Sequence, residues 1–279
     1  MKPMESHLKV LNREGLQKTE EFYSIDPRAV VDPSAKIDAG CVVGPFAVIG
    51  SDVHLGPGGV VQPHAVIQGP ATFGPGNTIC SFACLGGAPQ DLRHQGERTE
   101  LVVGARNTFR EYVTVNRGTT HGGGVTLVGD DNLIMAYSHV AHDCIIGNHV
   151  VMANGATLAG HVSVGDYAVF GGMVGVGAFL RIGESAMIAA GSMLEQEVPP
   201  FCVVSGDRAH LRAVNRVGLC RRGISAQARA QIKSIFRSLK TRSLSRAEIA
   251  AQFNGLDSLT PEAVRMLRFI GEARRGLAR

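Results

Sequence analysis

From Ile25 onward the chain places an aliphatic or phenylalanine side chain at every sixth position: Ile25, Val31, Ile37, Val43, Ile49, Leu55, Val61, Ile67, Phe73, Ile79 and Leu85. The residue two before each is mostly small, as at Ala29, Ala35, Cys41, Ala47, Gly59, Ala65, Ala71 and Ala83, and the residue after is often Gly or Asp. The period returns at Val103, Phe109 and Val115. It then runs in a shifted frame from Val128 through Ile134, Val140, Ile146, Met152, Leu158, Val164, Phe170, Val176, Ile182 and Ile188 to Leu194, making 26 units in all. A coiled coil would repeat near every 3.5 residues and a leucine-rich repeat about every 20 or more, so neither accounts for the spacing. One large and one small inward residue per six fits one flat face of a triangular coil, with three units closing an 18-residue turn. The pattern therefore predicts a parallel β-helix of about eight to nine coils, stacked roughly 4.8 Å apart, in which residues 18 apart lie above one another. Spacing does not fix the hand of the coil.

Two segments break the period. Residues 86–100, GGAPQDLRHQGERTE, are polar where rungs are due, and residues 116–127, NRGTTHGGGVTL, add one residue to the frame. Both are expected to leave the prism as surface loops, either as tolerated insertions or as carriers of function on a rigid scaffold. After Val198-Pro199-Pro200 the spacing turns helical, with Ile232, Ile235, Phe236 and Leu239 on one stripe. Ser245 with Glu248 predicts a capping box, and Thr260-Pro261-Glu262 reads as N-cap, N1 and first-turn acid. The expected organisation is an N-terminal arm over 1–22, a β-helix domain over 23–204, and a small helical domain over 205–279 that caps the open end.

Composition agrees with many short strands and tight turns: 35 glycines, no tryptophan and 5% aromatics. The six cysteines are scattered without CxxC spacing and read as reduced apolar fillers. The first residues are too charged for a signal peptide and no apolar run reaches membrane-span length, so a cytoplasmic protein is expected. The net charge of +4 conceals an asymmetry. Residues 205–279 carry 16 Lys/Arg against 5 Asp/Glu, and residues 1–204 carry 12 against 19. The tail is either a solvated surface or a docking face for something acidic.

Histidines are dense in one place only: Ser138-His139-Val140-Ala141-His142-Asp143-Cys144, followed by Gly160-His161. His161 lies 18 residues after Asp143, so the two are expected on adjacent coils beside His142. A neutral imidazole held by a carboxylate can take a proton from a hydroxyl near pH 7. The plain alternative is a row of solvated outward histidines. Zinc ligation as in γ-class carbonic anhydrases is a third possibility, but His139 and His142 are half a period apart and are expected to leave the prism in different directions, whereas ligation needs converging rings.

The segment HVAHDCIIGNHVVMANGATLAGHV, with GGAPQDLRHQGE and REYVTVNRGT upstream and EVPP and GLCRRGIS downstream, resembles the bacterial UDP-N-acetylglucosamine O-acyltransferases of lipid A biosynthesis over roughly residues 25–279. The resemblance implies a left-handed β-helix, a hand opposite to that of ordinary parallel crossovers. It further implies a homotrimer with active sites between subunits, and transfer of an acyl group from acyl carrier protein to the 3-position of the UDP-sugar. It calls for no metal, no bound cofactor beyond the carrier's phosphopantetheine, no nucleic-acid partner and no membrane span. Carried over by position, His142 is the general base, Asp143 orients it, and Gly160 offers its N–H to the developing oxyanion. Asp91, His139 and His161 hold the sugar and its diphosphate, and Arg93 stands near the acyl donor. Asn215, Arg221 and Arg222 stand near the nucleotide and carrier arm, where guanidinium forks suit phosphates. Ala190 occupies the region that measures acyl length, where its methyl favours medium-chain 3-hydroxyacyl groups.

The chain departs from the family pattern at Asn116, where histidine is common, at Gly177-Ala178, where His-Gln is common, and at Val217, which replaces a glutamate. These changes leave open whether the acceptor is the 3-hydroxy sugar or its 3-amino analogue. Two rival readings are the related N-acyltransferase, which carries a uridine-binding domain ahead of its rungs, and a non-catalytic β-helix scaffold, which would not need the His142-Asp143 pair.

Overall fold

In the computed structural model, residues 24–241, 244–253 and 259–279 are described, and the N-terminal arm lies outside them. All 26 expected rungs are short strands, from Ser24–Ile25 to Met193–Leu194. They form a left-handed β-helix. The first face has 11 strands and opens with Ser24–Ile25, the second has 9 and opens with Val30–Val31, and the third has 8 and opens with Lys36–Ile37. Each strand pairs with the strand one coil away: Val43 faces Val61 and Val140 faces Leu158, both 18 residues on. At the interruptions Leu85 instead faces Val115 and Val103 faces Val128. These partners are separated by more than 18 residues because the extra chain leaves the prism as two loops.

The large rung residues stack into dry columns. On the second face Ile49, Ile67, Leu85, Val115, Val140, Leu158, Val176 and Leu194 are all buried, and the small residues Ala47, Ala65, Ala83 and Ala156 fill the corners beside them. Each aliphatic side chain removed from water contributes about 1.5–3 kcal/mol. The corners themselves are strained. Asp143, His161 and Phe179 take left-handed φ of 60°, 62° and 64°, a conformation that costs a non-glycine residue of order 1–3 kcal/mol. The coil backbone hydrogen bonds on both sides offset that strain. So does stacking of the side chains that radiate from each corner, as in the ladder Phe46, His64, Phe82, Tyr112, Tyr137, with rings 4.9–5.2 Å apart. The residue just before the left-handed one needs no N–H donor, and Pro45, Pro57, Pro63 and Pro75 occupy that place in the early coils.

The coil persists past the point where the six-residue spacing is lost. Val198 bridges Ile182, and the strand Cys202–Ser205 joins the first face with Val204 opposite Ile188. It then turns back as an antiparallel hairpin with His210–Val214. The helices follow: α1 (Arg216–Arg221), α2 (Ala226–Lys240), α3 (Arg246–Ala251) and α4 (Pro261–Gly271). Ile232, Ile235 and Leu239 are buried on α2, and Ser245 and Glu248 form the reciprocal capping box of α3. Thr260 does not cap α4 with its side chain; its hydroxyl donates to Gln231 on α2 at 2.9 Å, tying the two helices together. Among the described residues no helix is long and apolar enough to cross a membrane. Cys41, Cys144 and Cys202 are buried fillers, and burial pushes the Cys144 thiol up to about 12. Cys220 departs from that reading, because it is exposed on α1 with the Arg229 guanidinium 3.3 Å from its sulfur.

Candidate active site

Both loops leave the prism between a second-face strand and a third-face strand, at Leu85/Val103 and Val115/Val128. The turns after Val140 and Leu158 lie on that same edge, because their strands also belong to the second face. The 18-residue turn therefore gathers the two loops, His142-Asp143 and Gly160-His161 at one corner of the molecule. Two columns run up it. His142, Gly160 and Ala178 occupy the first corner position of successive coils, and Asp143, His161 and Phe179 the second. The ladder is closed by the His161 N–H donating to the His142 carbonyl at 3.0 Å and the Phe179 N–H donating to the Gly160 carbonyl at 3.1 Å.

Asp143 is the buried anchor. Its carboxylate accepts from the Thr119 backbone N–H at 2.8 Å, the Thr119 hydroxyl at 2.6 Å and His142 Nδ1 at 2.7 Å, with His161 Nε2 at 3.7 Å. Burial raises its pKa, but the Thr119 and His142 hydrogen bonds together with the field of His161 outweigh burial, and the group sits below the ordinary carboxylate value. The second loop also closes over it, since a Cβ at Gly122 would lie 2.1–2.3 Å from the carboxylate. With Nδ1 engaged by an ionised carboxylate, His142 presents Nε2 as its free nitrogen. Its ring lies over Gly160, whose ideal Cβ would meet Cε1 at 2.6 Å and Nε2 at 2.8 Å. Glycine is therefore required there by close approach. The Gly160 N–H sits at the corner position that tolerates proline elsewhere, and no described residue accepts from it.

A cavity of about 470 Å³ opens beside these groups, lined among others by Asp91, Arg93, His142, Gly160, His161 and Ala178. Arg93 grips Asp91 through two side-chain hydrogen bonds of 3.1 and 2.7 Å, and these hold the Asp91 carboxyl far below its usual range. His139 does not reach the cavity: it lies on the second-face strand His139–Val140, with Nδ1 2.7 Å from the Thr114 hydroxyl. Ala190 is exposed at the corner between the first and second faces, across the second face from His142. Asn215, Arg221 and Arg222 are not brought into this cavity of the same chain either. Asn215 caps α1 by accepting from Gly218 and donates to the Ser185 carbonyl. Arg222 pairs with Glu184 at 2.6 Å and lies 3.9 Å over the Tyr167 ring. Tyr167 and Ser185 are corner residues between the third and first faces, so this group occupies a different edge; Arg221 is in the last turn of α1. Asn116 is buried and donates to the Ala88 carbonyl of the first loop at 2.8 Å.

Sequence reasoning passed over three contributors. Thr119 and His121 belong to the second loop, and His121 Nε2 reaches Asp91 at 3.1 Å, linking the loops. Phe179 stacks on His161 at 4.3 Å and 5°. The signal for all three is phase: the loop's departure point and Phe179 share the edge of Asp143. His142, Asp143 and His161 offer three metal-donor atoms within 4.8 Å of one another. An ion there would have to take over the atoms of the 2.7 Å His142–Asp143 hydrogen bond, so metal binding and base catalysis are competing uses of one cluster. The His139 ring stays on Thr114, outside that set.

The histidines also set a pH dependence. Burial, with His142 nearby, holds the His139 imidazole below its ordinary value of 6.5, and burial does the same to His161 although Asp143 pulls it upward. Below that value the unfolded chain binds these protons better than the folded one, so stability falls as pH drops through the window beneath 6.5. Thermal melts between about pH 7.5 and 5.5 are expected to show a falling midpoint, and the His139→Gln variant a shallower fall. A midpoint that stays flat in the wild-type chain would contradict this.

Two family models match: UDP N-acetylglucosamine O-acyltransferase, domain 2, over residues 197–278, and the bacterial transferase hexapeptide (six repeats) over residues 125–160. An acyl-carrier-protein–UDP-N-acetylglucosamine O-acyltransferase of Paracidovorax citrulli is 53% identical over 260 residues, covering 92% of this chain and 99% of the relative. The namesake from Alkalilimnicola ehrlichii is 47% identical over 255 residues, covering 91% and 99%. The solved UDP-N-acetylglucosamine acyltransferase of Francisella novicida superposes with a TM-score of 0.88 at 35% identity, over 91% of this chain and 94% of that one. The Moraxella catarrhalis UDP-N-acetylglucosamine O-acyltransferase gives 0.89 at 33%, over 91% and 99%. With this likeness running through coil, loops and C-terminal helices alike, the chain belongs to the family of acyl-carrier-protein-dependent UDP-N-acetylglucosamine O-acyltransferases.

Proposed function

We propose that this chain transfers a 3-hydroxyacyl group from acyl carrier protein to the 3-position of UDP-N-acetylglucosamine, or of its 3-amino analogue, at the start of lipid A biosynthesis in the cytoplasm. The observation that carries the reading is the His142–Asp143 hydrogen bond of 2.7 Å at a cavity that also holds the unpaired Gly160 amide. Asp143 keeps the Nδ1 tautomer, so Nε2 takes the proton as the sugar oxygen attacks the thioester carbonyl. A C–O bond forms, and the carbonyl oxygen gathers negative charge within reach of the Gly160 N–H. Collapse breaks the C–S bond, and His142 returns its proton to the departing phosphopantetheine sulfur. These steps draw on no metal and no tightly held cofactor.

Asn215, Arg221 and Arg222 fit the same reading from a neighbouring subunit. The edge bearing Arg222 and the edge bearing His142 flank the third face, so a threefold assembly packed about that face can set one chain's arginines opposite the next chain's catalytic corner. The cationic C-terminal region suits an acidic carrier protein, whose approach it would steer. The test is direct: incubate the purified protein with each acceptor and a chain-length series of 3-hydroxyacyl carrier thioesters, and identify products by mass. A singly acylated nucleotide is expected, and the series reads which chain length is preferred. Absence of any acylated nucleotide across the series would remove the assignment.

A further inference from the structure

Beside the catalytic cavity, and sharing His161 and Phe179 with it, lies a second cavity of about 560 Å³ whose walls include Arg181, Glu197, Arg274 and Arg275. Its outer wall is the end of the chain. Residues 274–278 return to the coil through an isolated parallel bridge: Glu197 pairs with Leu277, the Glu197 N–H donates to the Gly276 carbonyl at 3.0 Å, and the Ala278 N–H donates to the Glu197 carbonyl at 2.9 Å. The side chain of Glu197, 1% exposed, locks this arrangement. One of its oxygens accepts the backbone N–H groups of Arg274 and Arg275 at 2.9 and 3.1 Å, and the other accepts Arg181 at 2.6 and 2.8 Å.

The charges then sort themselves. Arg181 is shared between Glu197 and, at 3.5 Å, Glu272. Among the described residues no carboxylate lies within ion-pairing distance of the Arg274 or Arg275 guanidinium, although both side chains are exposed at the cavity. Arg275 lies 5.0 Å over the Phe179 ring, which stacks on His161, which in turn meets His142 edge-on at 5.1 Å. A guanidinium lying over an aromatic ring keeps its N–H edges free for an anion. Two uncompensated cations thus sit on a backbone segment pinned by a buried carboxylate, and one of them, Arg275, lies two rings away from the catalytic base.

We propose that Arg274 and Arg275 form a phosphate-binding subsite for a phosphate ester whose reacting end lies at His142. The inference rests on the function proposed above for the reacting end, but not for the binding of phosphate. Two substrates carry such a group: the nucleotide sugar, whose diphosphate sits one pyranose ring from the 3-position, and the carrier donor, whose phosphodiester lies at the far end of its arm.

The test uses the full chain and the Arg274→Ala/Arg275→Ala double variant. Because Glu197 holds backbone N–H groups rather than the side chains, the anchor survives truncation, and an unchanged melting midpoint would verify this. Calorimetry with UDP-N-acetylglucosamine and KM values for both substrates are expected to show a loss of about 10- to 100-fold in one of them with kcat largely kept. Partial recovery is expected in Arg274→Lys/Arg275→Lys. Weakening confined to the nucleotide sugar assigns the subsite to the diphosphate, and weakening confined to the carrier donor assigns it to the phosphodiester. Affinities for both substrates that match the wild-type chain overturn the subsite. Binding without any turnover by the wild-type protein would instead remove the proposed reaction and leave the subsite standing.

Discussion

Replacing His142 with alanine is expected to lower kcat about 1000-fold, in the middle of the range for loss of a general base, with KM for the nucleotide sugar changed far less. The size of the effect follows from how little else at this corner can substitute. His161 is the nearest other imidazole, but its Nε2 lies 3.7 Å from the Asp143 carboxylate and its ring is stacked on Phe179. Asp143 itself is buried beneath Thr119 and Gly122 and turned away from the cavity. The variant is expected to fold normally, because the His142 side chain bonds to Asp143 and to no coil backbone group, and the first corner position accepts many residue types, including proline, elsewhere in the helix. Single-turnover acylation followed by mass is the appropriate measurement. Equal turnover by the wild-type and His142→Ala proteins would eliminate His142 as base.

The second large effect is expected from one methyl group. Gly160→Ala places a Cβ 2.6 Å from His142 Cε1 and 2.8 Å from Nε2, closer than real contacts allow, so something must move. The imidazole is the movable partner, and its displacement separates Nε2 from the hydroxyl it must deprotonate while the methyl narrows access to the Gly160 N–H. Loss of one oxyanion donor alone costs about 100- to 1000-fold in kcat, and Gly160→Ala is expected to fall in that range. Its folding is expected to survive, since Gly160 is not in the left-handed region. Gly171 makes the useful contrast. A Cβ there would meet the Ala190 backbone N at 2.4 Å, which cannot swing aside, so Gly171→Ala should lower the melting midpoint instead. A Gly160→Ala protein with wild-type kcat would show that the ring over Gly160 plays no part in the reaction.

The division between what the chain's linear pattern reveals and what it hides has a physical basis. The rungs are legible because a solenoid is nearly one-dimensional: each coil meets only its neighbours, so period alone sets contacts, and 26 strands fall where the sixth-residue aliphatics place them. The same arithmetic stacks His161 on Asp143 and Gly160 on His142, and brings both loops to their edge. Periodicity gives out over residues 195–201, and beyond them the coil continues for another strand that spacing does not announce. It is equally silent about the insides of the loops, so Thr119 as the partner of Asp143 and His121 as the partner of Asp91 emerge only in three dimensions. Tertiary structure alone decided that Asn215 and Arg222 lie on another edge from His142, and that the last residues of the chain return to wall the catalytic corner. Those placements depend on how the helical region folds back across the coil. The closing contacts there, from Glu197 to Arg274 and Arg275, span nearly 80 residues and follow no period.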